Sequence, residues 1–87
     1  MKLKCKFVIN SVAGELLAVP VGKESGFRGY IRLNETGKDI FELLKKDTDR
    51  GKIISALKNK YPDAKEDEII ESVDNILSKL NSAELIV

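Results

Sequence analysis

The chain has 87 residues, 15 of them basic and 14 acidic, for a formal net charge of +1. Its 43% apolar content supports one modest core and its 33% charged content a water-facing surface, while the small net charge leaves no global field for nucleic acid or an anionic membrane. A single cysteine, Cys5, excludes an internal disulfide and a cysteine-built metal site, and the lack of histidine removes the commonest general base and metal ligand.

Residues 5–10 are rich in β-branched and aromatic side chains and end at the turn formers Asn10-Ser11, which predicts a first strand. Val12 to Glu15 reads as a turn or bulge, with Gly14 taking the unusual backbone angles. Glu15 to Val19 reads as a second strand stopped by Pro20, and it pairs with the first as a hairpin. Val21 to Arg28 reads as an exposed loop, from which Phe27 or Tyr30 folds back on the sheet. Gly29 to Leu33 is a third strand, with Ile31 and Leu33 on one face and Tyr30 and Arg32 on the other.

Asn34 is a good N-cap and Glu35 suits a first turn, so a helix is expected from there to about Lys46, burying Ile40, Phe41 and Leu44 with Leu43 beside them. Asp47-Thr48-Asp49 forms a second cap cluster for a helix with Ile53, Ile54, Leu57 and Tyr61 on one face, and Pro62 ends it. Asp63 with Glu66 resembles a capping box. The third helix has the clearest period, with Ile69, Ile70, Val73, Ile76, Leu77 and Leu80 along one side. Leu85-Ile86-Val87 reads as an apolar tail docked on the core. Three strands followed by three helices give an α+β fold with the helices on one face of an antiparallel sheet, and the short, tightly joined helices also allow a helix-turn-helix-like packing.

The charge is uneven along the chain. Residues 1–33 carry six basic and two acidic side chains, residues 34–61 seven and five, and residues 62–87 two and seven. Met1 to Lys6 has charge without an apolar stretch after it, so no signal peptide is read, and no apolar run is long enough for a transmembrane helix. A cytoplasmic protein is expected.

Several residues together resemble a known family. Gly14-Glu15 followed by Leu17 to Pro20, then Leu33-Asn34-Glu35-Thr36-Gly37 with Ile40 and Leu43-Leu44, are similar to the second strand and the most recognisable motif of the PqqD family. Thr48, Ile53, Leu57 and Tyr61 match its second helix, and Val73-Asp74, Leu77, Leu80 and Leu85-Ile86 its third helix and tail. Glu84 departs from the pattern, since the family usually has Gly before the final Leu-Ile. The resemblance covers residues 1–87 as one peptide recognition domain and implies a winged helix-turn-helix fold. It also implies a non-catalytic role: holding the leader of a ribosomally made precursor peptide and presenting it to a modifying enzyme, often a radical SAM enzyme. In that family the leader adds as a strand beside the third strand and the third helix. Carried over, the peptide-binding residues are Tyr30, Ile31, Arg32 and Leu33 on the strand. Val73, Leu77 and Leu80 form the inward centre of the helix, so that Ser72, Ile76 and Lys79 flank the groove.

Other readings stay open at this point. Asn34 to Gly37 is a helix cap or a functional loop. Arg32 either meets an acidic leader side chain or is a solvated strand charge, and Tyr30 lines the groove or closes the core. Glu66, Asp67, Glu68, Glu71 and Asp74 form a solvated helix face, or bind a basic leader or a metal. Cys5 reads as a structural strand residue. A DNA-binding winged helix is the alternative function: the acidic last helix opposes it, while basic residues on helix two and in the 21–28 loop favour it. An enzyme fares worst, with no nucleophile constellation and no phosphate loop; no catalytic residue, metal or cofactor is assigned. The chain is expected as a monomer or an edge-paired dimer.

Overall fold

A computed structural model describes residues 1–21 and 29–87. The order is β1 (Lys6–Val12), β2 (Glu15–Val21), β3 (Ile31–Leu33), α1 (Glu35–Leu43), α2 (Arg50–Lys60) and α3 (Glu66–Ser82). This is the α+β arrangement read from the sequence: a three-stranded antiparallel sheet, order β1-β2-β3, followed by three helices. It is winged-helix-like in the broad sense.

The hairpin is longer than the composition suggests. β1 runs on through Ser11 and Val12, and the turn contracts to Ala13-Gly14. Both have positive φ, +52° and +81°, which is what a two-residue turn with matching twist requires. β2 likewise continues through Pro20 to Val21, taking Val21 out of the expected loop. Proline is tolerated because β3 pairs only as far as Ala18, so no β3 residue faces Pro20 in that register. The remainder of that loop, with Phe27, lies outside the described residues.

The registers put Phe7, Ile9, Leu16, Ala18, Ile31 and Leu33 on the helix-facing side of the sheet. There they meet a core of Ile40, Phe41, Leu44, Ile53, Leu57, Ile69, Val73, Ile76, Leu80 and Leu85. Phe7 stands edge-on to Phe41, with ring centroids 5.3 Å apart. The opposite sheet face leaves Val8, Val12 and Val21 exposed.

α1 starts where its cap residue predicts: Asn34 Oδ1 accepts from the Gly37 N–H at 2.8 Å. It ends at Leu43 rather than near Lys46. The cause is tertiary, because the Leu44 carbonyl accepts from the Leu3 N–H (3.0 Å) and the Met1 carbonyl from the Thr48 N–H (2.8 Å). The N-terminal segment therefore claims the stretch where the helix would have continued. Asp49 caps α2 through Oδ1 and the Lys52 N–H at 2.8 Å. The expected capping box at Asp63 does not form: Lys65 is the N-cap residue and makes no side-chain cap bond. Residues 61–64 instead close a turn, with the Ala64 N–H donating to the Tyr61 carbonyl.

α3 ends in a Schellman motif, with Leu85 N–H to the Leu80 carbonyl (2.8 Å) and Glu84 N–H to the Asn81 carbonyl (3.0 Å). Glu84 sits at φ +57°, the left-handed conformation that favours glycine. The tail then docks as expected: Leu85 is buried and Ile86 bridges antiparallel to Leu3.

The helices are cross-linked by ion pairs. Arg50 holds both oxygens of Asp74 (2.7 and 3.1 Å), and its hydrogen bond keeps the Asp74 carboxyl below its usual range. Asp39 on α1 accepts from Lys60 Nζ at 2.7 Å and from the Tyr61 hydroxyl. Burial alone would raise the Asp39 carboxyl, but these two bonds and the Lys60 charge outweigh it and hold it below its ordinary value. The same bond pushes the Tyr61 hydroxyl up.

Candidate functional site

β3 is an edge strand, with β2 as its one strand neighbour among the described residues. Its pairing is short: Leu33 faces Leu16, Arg32 faces Leu17 and Ile31 faces Ala18. Its outer N–H and C=O groups are therefore the groups a further strand would pair with.

The side chains divide as their alternation predicts. Leu33 is buried (7% exposed) and Ile31 packs partly on the core, while Arg32 is exposed. Arg32 Nε lies 3.5 Å from Glu15 Oε2 on β2, an exposed pair and so a weak one. Tyr30 precedes the strand and is 54% exposed, so it does not close the core.

The L-N-x-T-G motif sets how β3 enters α1. A Cβ on Gly37 would lie 3.2 Å from Asn34 Oδ1 and 3.2 Å from Leu33 Cδ2. The glycine thus leaves room for the cap and for the buried Leu33 together. The motif is a helix start that aims the strand edge, in keeping with the capping reading.

On α3, Ser72 is half-buried, Ile76 buried (8% exposed) and Lys79 exposed, spaced i, i+4 and i+7 along one stripe. The inward centre is Val73, Ile76 and Leu80, with Leu77 only partly buried; the expected order of Leu77 and Ile76 is reversed. α1 packs on both β3 and α3 and so holds the two to one helix.

The acidic residues along the first half of α3 are partly engaged in structure: Asp74 with Arg50, and Glu66 with Lys58 at 3.2 Å. Among the described residues no three metal-ligating side chains come together, and no helix is long and apolar enough to cross a membrane.

The sequence reading passed over a second surface. A cleft of about 630 Å³ lies along β1, the other edge of the sheet, lined by the N-terminal lysines and by Phe41. The strict alternation of Lys2, Lys4 and Lys6 with Leu3, Cys5 and Phe7 was the signal for it.

Neither a curated protein nor a solved structure matches the chain. A family model described as coenzyme PQQ synthesis protein D (PqqD) matches residues 21–86. That span takes in β3, all three helices and the docked tail, and the chain belongs to the PqqD family.

Proposed function

We propose that residues 1–87 act as one non-catalytic peptide-binding domain that holds the leader of a ribosomally made precursor peptide and presents it to a modifying enzyme, a radical SAM enzyme being the expected kind. The observation that carries this reading is the strand order, which leaves β3 as a sheet edge in a chain of the PqqD family. The leader adds to β3 by backbone pairing, with Tyr30, Ile31, Arg32 and Leu33 on the strand side and Ser72, Ile76 and Lys79 on the helix side. The protein acts in the cytoplasm, where precursor and enzyme meet.

A DNA-binding winged helix is the competing reading, and the ion pairs of α2 speak against it. Arg50, Lys58 and Lys60 are each engaged by a carboxylate, on Asp74, Glu66 and Asp39. These carboxylates offset part of the positive charge that α2 would turn towards phosphate.

Successive N–H groups on a strand alternate in direction, so either residue 31 or residue 32 donates outward from β3. Of Ile31→Pro and Arg32→Pro, the variant that removes the outward donor stays folded and weakens binding of the precursor leader by at least about tenfold. Titration calorimetry with precursor peptides encoded near the gene, on variants checked by circular dichroism, reads this. Unchanged affinity in both folded variants would remove β3 from the site. Affinity that collapses between low and moderate salt and is shared by duplex DNA would favour the regulator.

A further inference from the structure

Residues 1–9 alternate without a break. Leu3, Cys5, Phe7 and Ile9 pack towards the core, whereas Lys2, Lys4 and Lys6 are exposed. β1 pairs with β2 alone among the described strands and lines the cleft, whereas the segment before it is already bonded, the Lys2 and Lys4 N–H groups to the Val87 and Leu85 carbonyls and the Leu3 N–H to the Leu44 carbonyl. The floor of that cleft is apolar, with Cys5, Phe7 and Phe41 contributing. Its rim carries Lys2, Lys4 and Lys6, joined by Lys45 just past the end of α1, and among the described residues no carboxylate lines it. Lys45 is paired with Glu42 at 3.1 Å, and Asp47, which feels the charge of Lys2, is taken by the N-terminal ammonium at 2.7 Å. Lys2, Lys4 and Lys6 have no ion-pair partner among the described residues.

We propose that this cleft docks an extended acidic peptide segment of a partner protein, in which carboxylates alternate with aliphatic or aromatic side chains. Three features select that occupant. Three unpaired lysines and Lys45, with no lining carboxylate among the described residues, favour a polyanion. Lys2, Lys4 and Lys6 stand at alternate residues and are all exposed, so the charge comes from several separate side chains and suits several carboxylates rather than one anionic headgroup. From Lys6 onward the outer edge of β1 has no strand partner among the described residues, and a strand added there starts beside the lysines and lays its inward side chains on the apolar floor. Stacked bases fit poorly: Phe41 is fully buried and Phe7 is turned edge-on to it. This surface is distinct from β3 and does not depend on the leader binding there. Most of it precedes residue 21, where the family match begins.

The test uses the full-length, ¹⁵N-labelled protein and an acetylated, amidated peptide that alternates glutamate with phenylalanine, leucine and valine. Its controls are the same peptide with lysine for glutamate and a single-stranded oligothymidylate. The acidic peptide is expected to shift the amides of residues 4–9, Val21 and Lys45, and to slow iodoacetamide alkylation of Cys5, the sole thiol, several-fold. The double variant Lys4→Glu/Lys6→Glu, unchanged in its circular dichroism, binds at least about tenfold more weakly, as expected for two reversed charges at a partly desolvated rim. The two β3 proline variants bind the acidic peptide as the parent does, which separates failure here from failure at the leader site. Shifts confined to residues 31–33 or α3 would overturn the proposal, as would equal binding of the lysine peptide or the oligonucleotide, or indifference to the double reversal. Concentration-dependent shifts of the same amides without peptide would assign the cleft to a second copy of the chain and also overturn it.

Discussion

The two edges of this sheet are built in opposite ways. β1 is seven residues long and is held from outside itself: its N-terminal extension hydrogen-bonds to the Leu44 and Leu85 carbonyls, and its ring at Phe7 rests on Phe41. β3 is three residues long and is held locally, by Leu33 in the core and by the Asn34 cap one residue later. An unpaired edge invites unwanted pairing, and lysines or a very short strand are two established protections. β1 has Lys6, with Lys2 and Lys4 in the extension before it, and β3 the brevity. A short edge with a helix start behind it can accept a guest strand without templating a fibre, whereas a long edge needs charge to choose its guest.

The comparison can be broken hardest at Phe41. Phe41→Ala opens the core beneath β1 and is expected to lower unfolding stability by about 3–5 kcal/mol, read from urea denaturation. β1 amides should lose hydrogen-exchange protection ahead of those of β3; equal loss at both edges would show that one packing unit supports them both.

A smaller effect is expected at Asp39, which ties α1 to α2 and favours neither edge. Asp39→Asn should cost about 1–2 kcal/mol near neutral pH, because the Lys60 and Tyr61 bonds lose their charged acceptor. The folded Asp39 carboxyl titrates below the value of about 3.9 expected in the unfolded chain. Its contribution is therefore present above that value and is lost as pH falls through the lower, folded one. Denaturation midpoints measured from neutral pH into the acid range should fall less steeply for Asp39→Asn than for the parent. Identical slopes would mean that the bond does not persist in solution.

The smallest change sharpens the β1 side. Glu84 holds a left-handed conformation at the turn that sends Leu85 and Ile86 back to Leu3 and Lys4. Glu84→Gly relieves that strain at some entropic cost in the unfolded chain, for a net gain of about 0.5–1 kcal/mol. A rise in melting temperature checks it; a fall would show that the Glu84 side chain has a role of its own.

Much of this was legible in the residues. The core faces of α1 and α2, the caps at Asn34 and Asp49 and the two faces of β3 follow from periodicity and from the hydrogen-bonding capacity of short polar side chains. The candidate site was legible on its strand side through Leu33 to Gly37 and through the resemblance those residues carry. Its helix side was harder, since Ile76 and Leu77 are adjacent apolar residues and only packing against α1 and α2 ranks them.

The sequence by itself determined which segments bury which faces, and with that an α+β chain of three strands and three helices, because the side-chain period and the capping residues are local properties. Tertiary structure alone decided where α1 stops, that Pro20 sits inside a strand, and that four lysines meet along one apolar cleft. Each of these depends on a backbone group or side chain far away in the chain: the Leu3 amide, the end of the β3 pairing and the packing of Phe41 against Phe7.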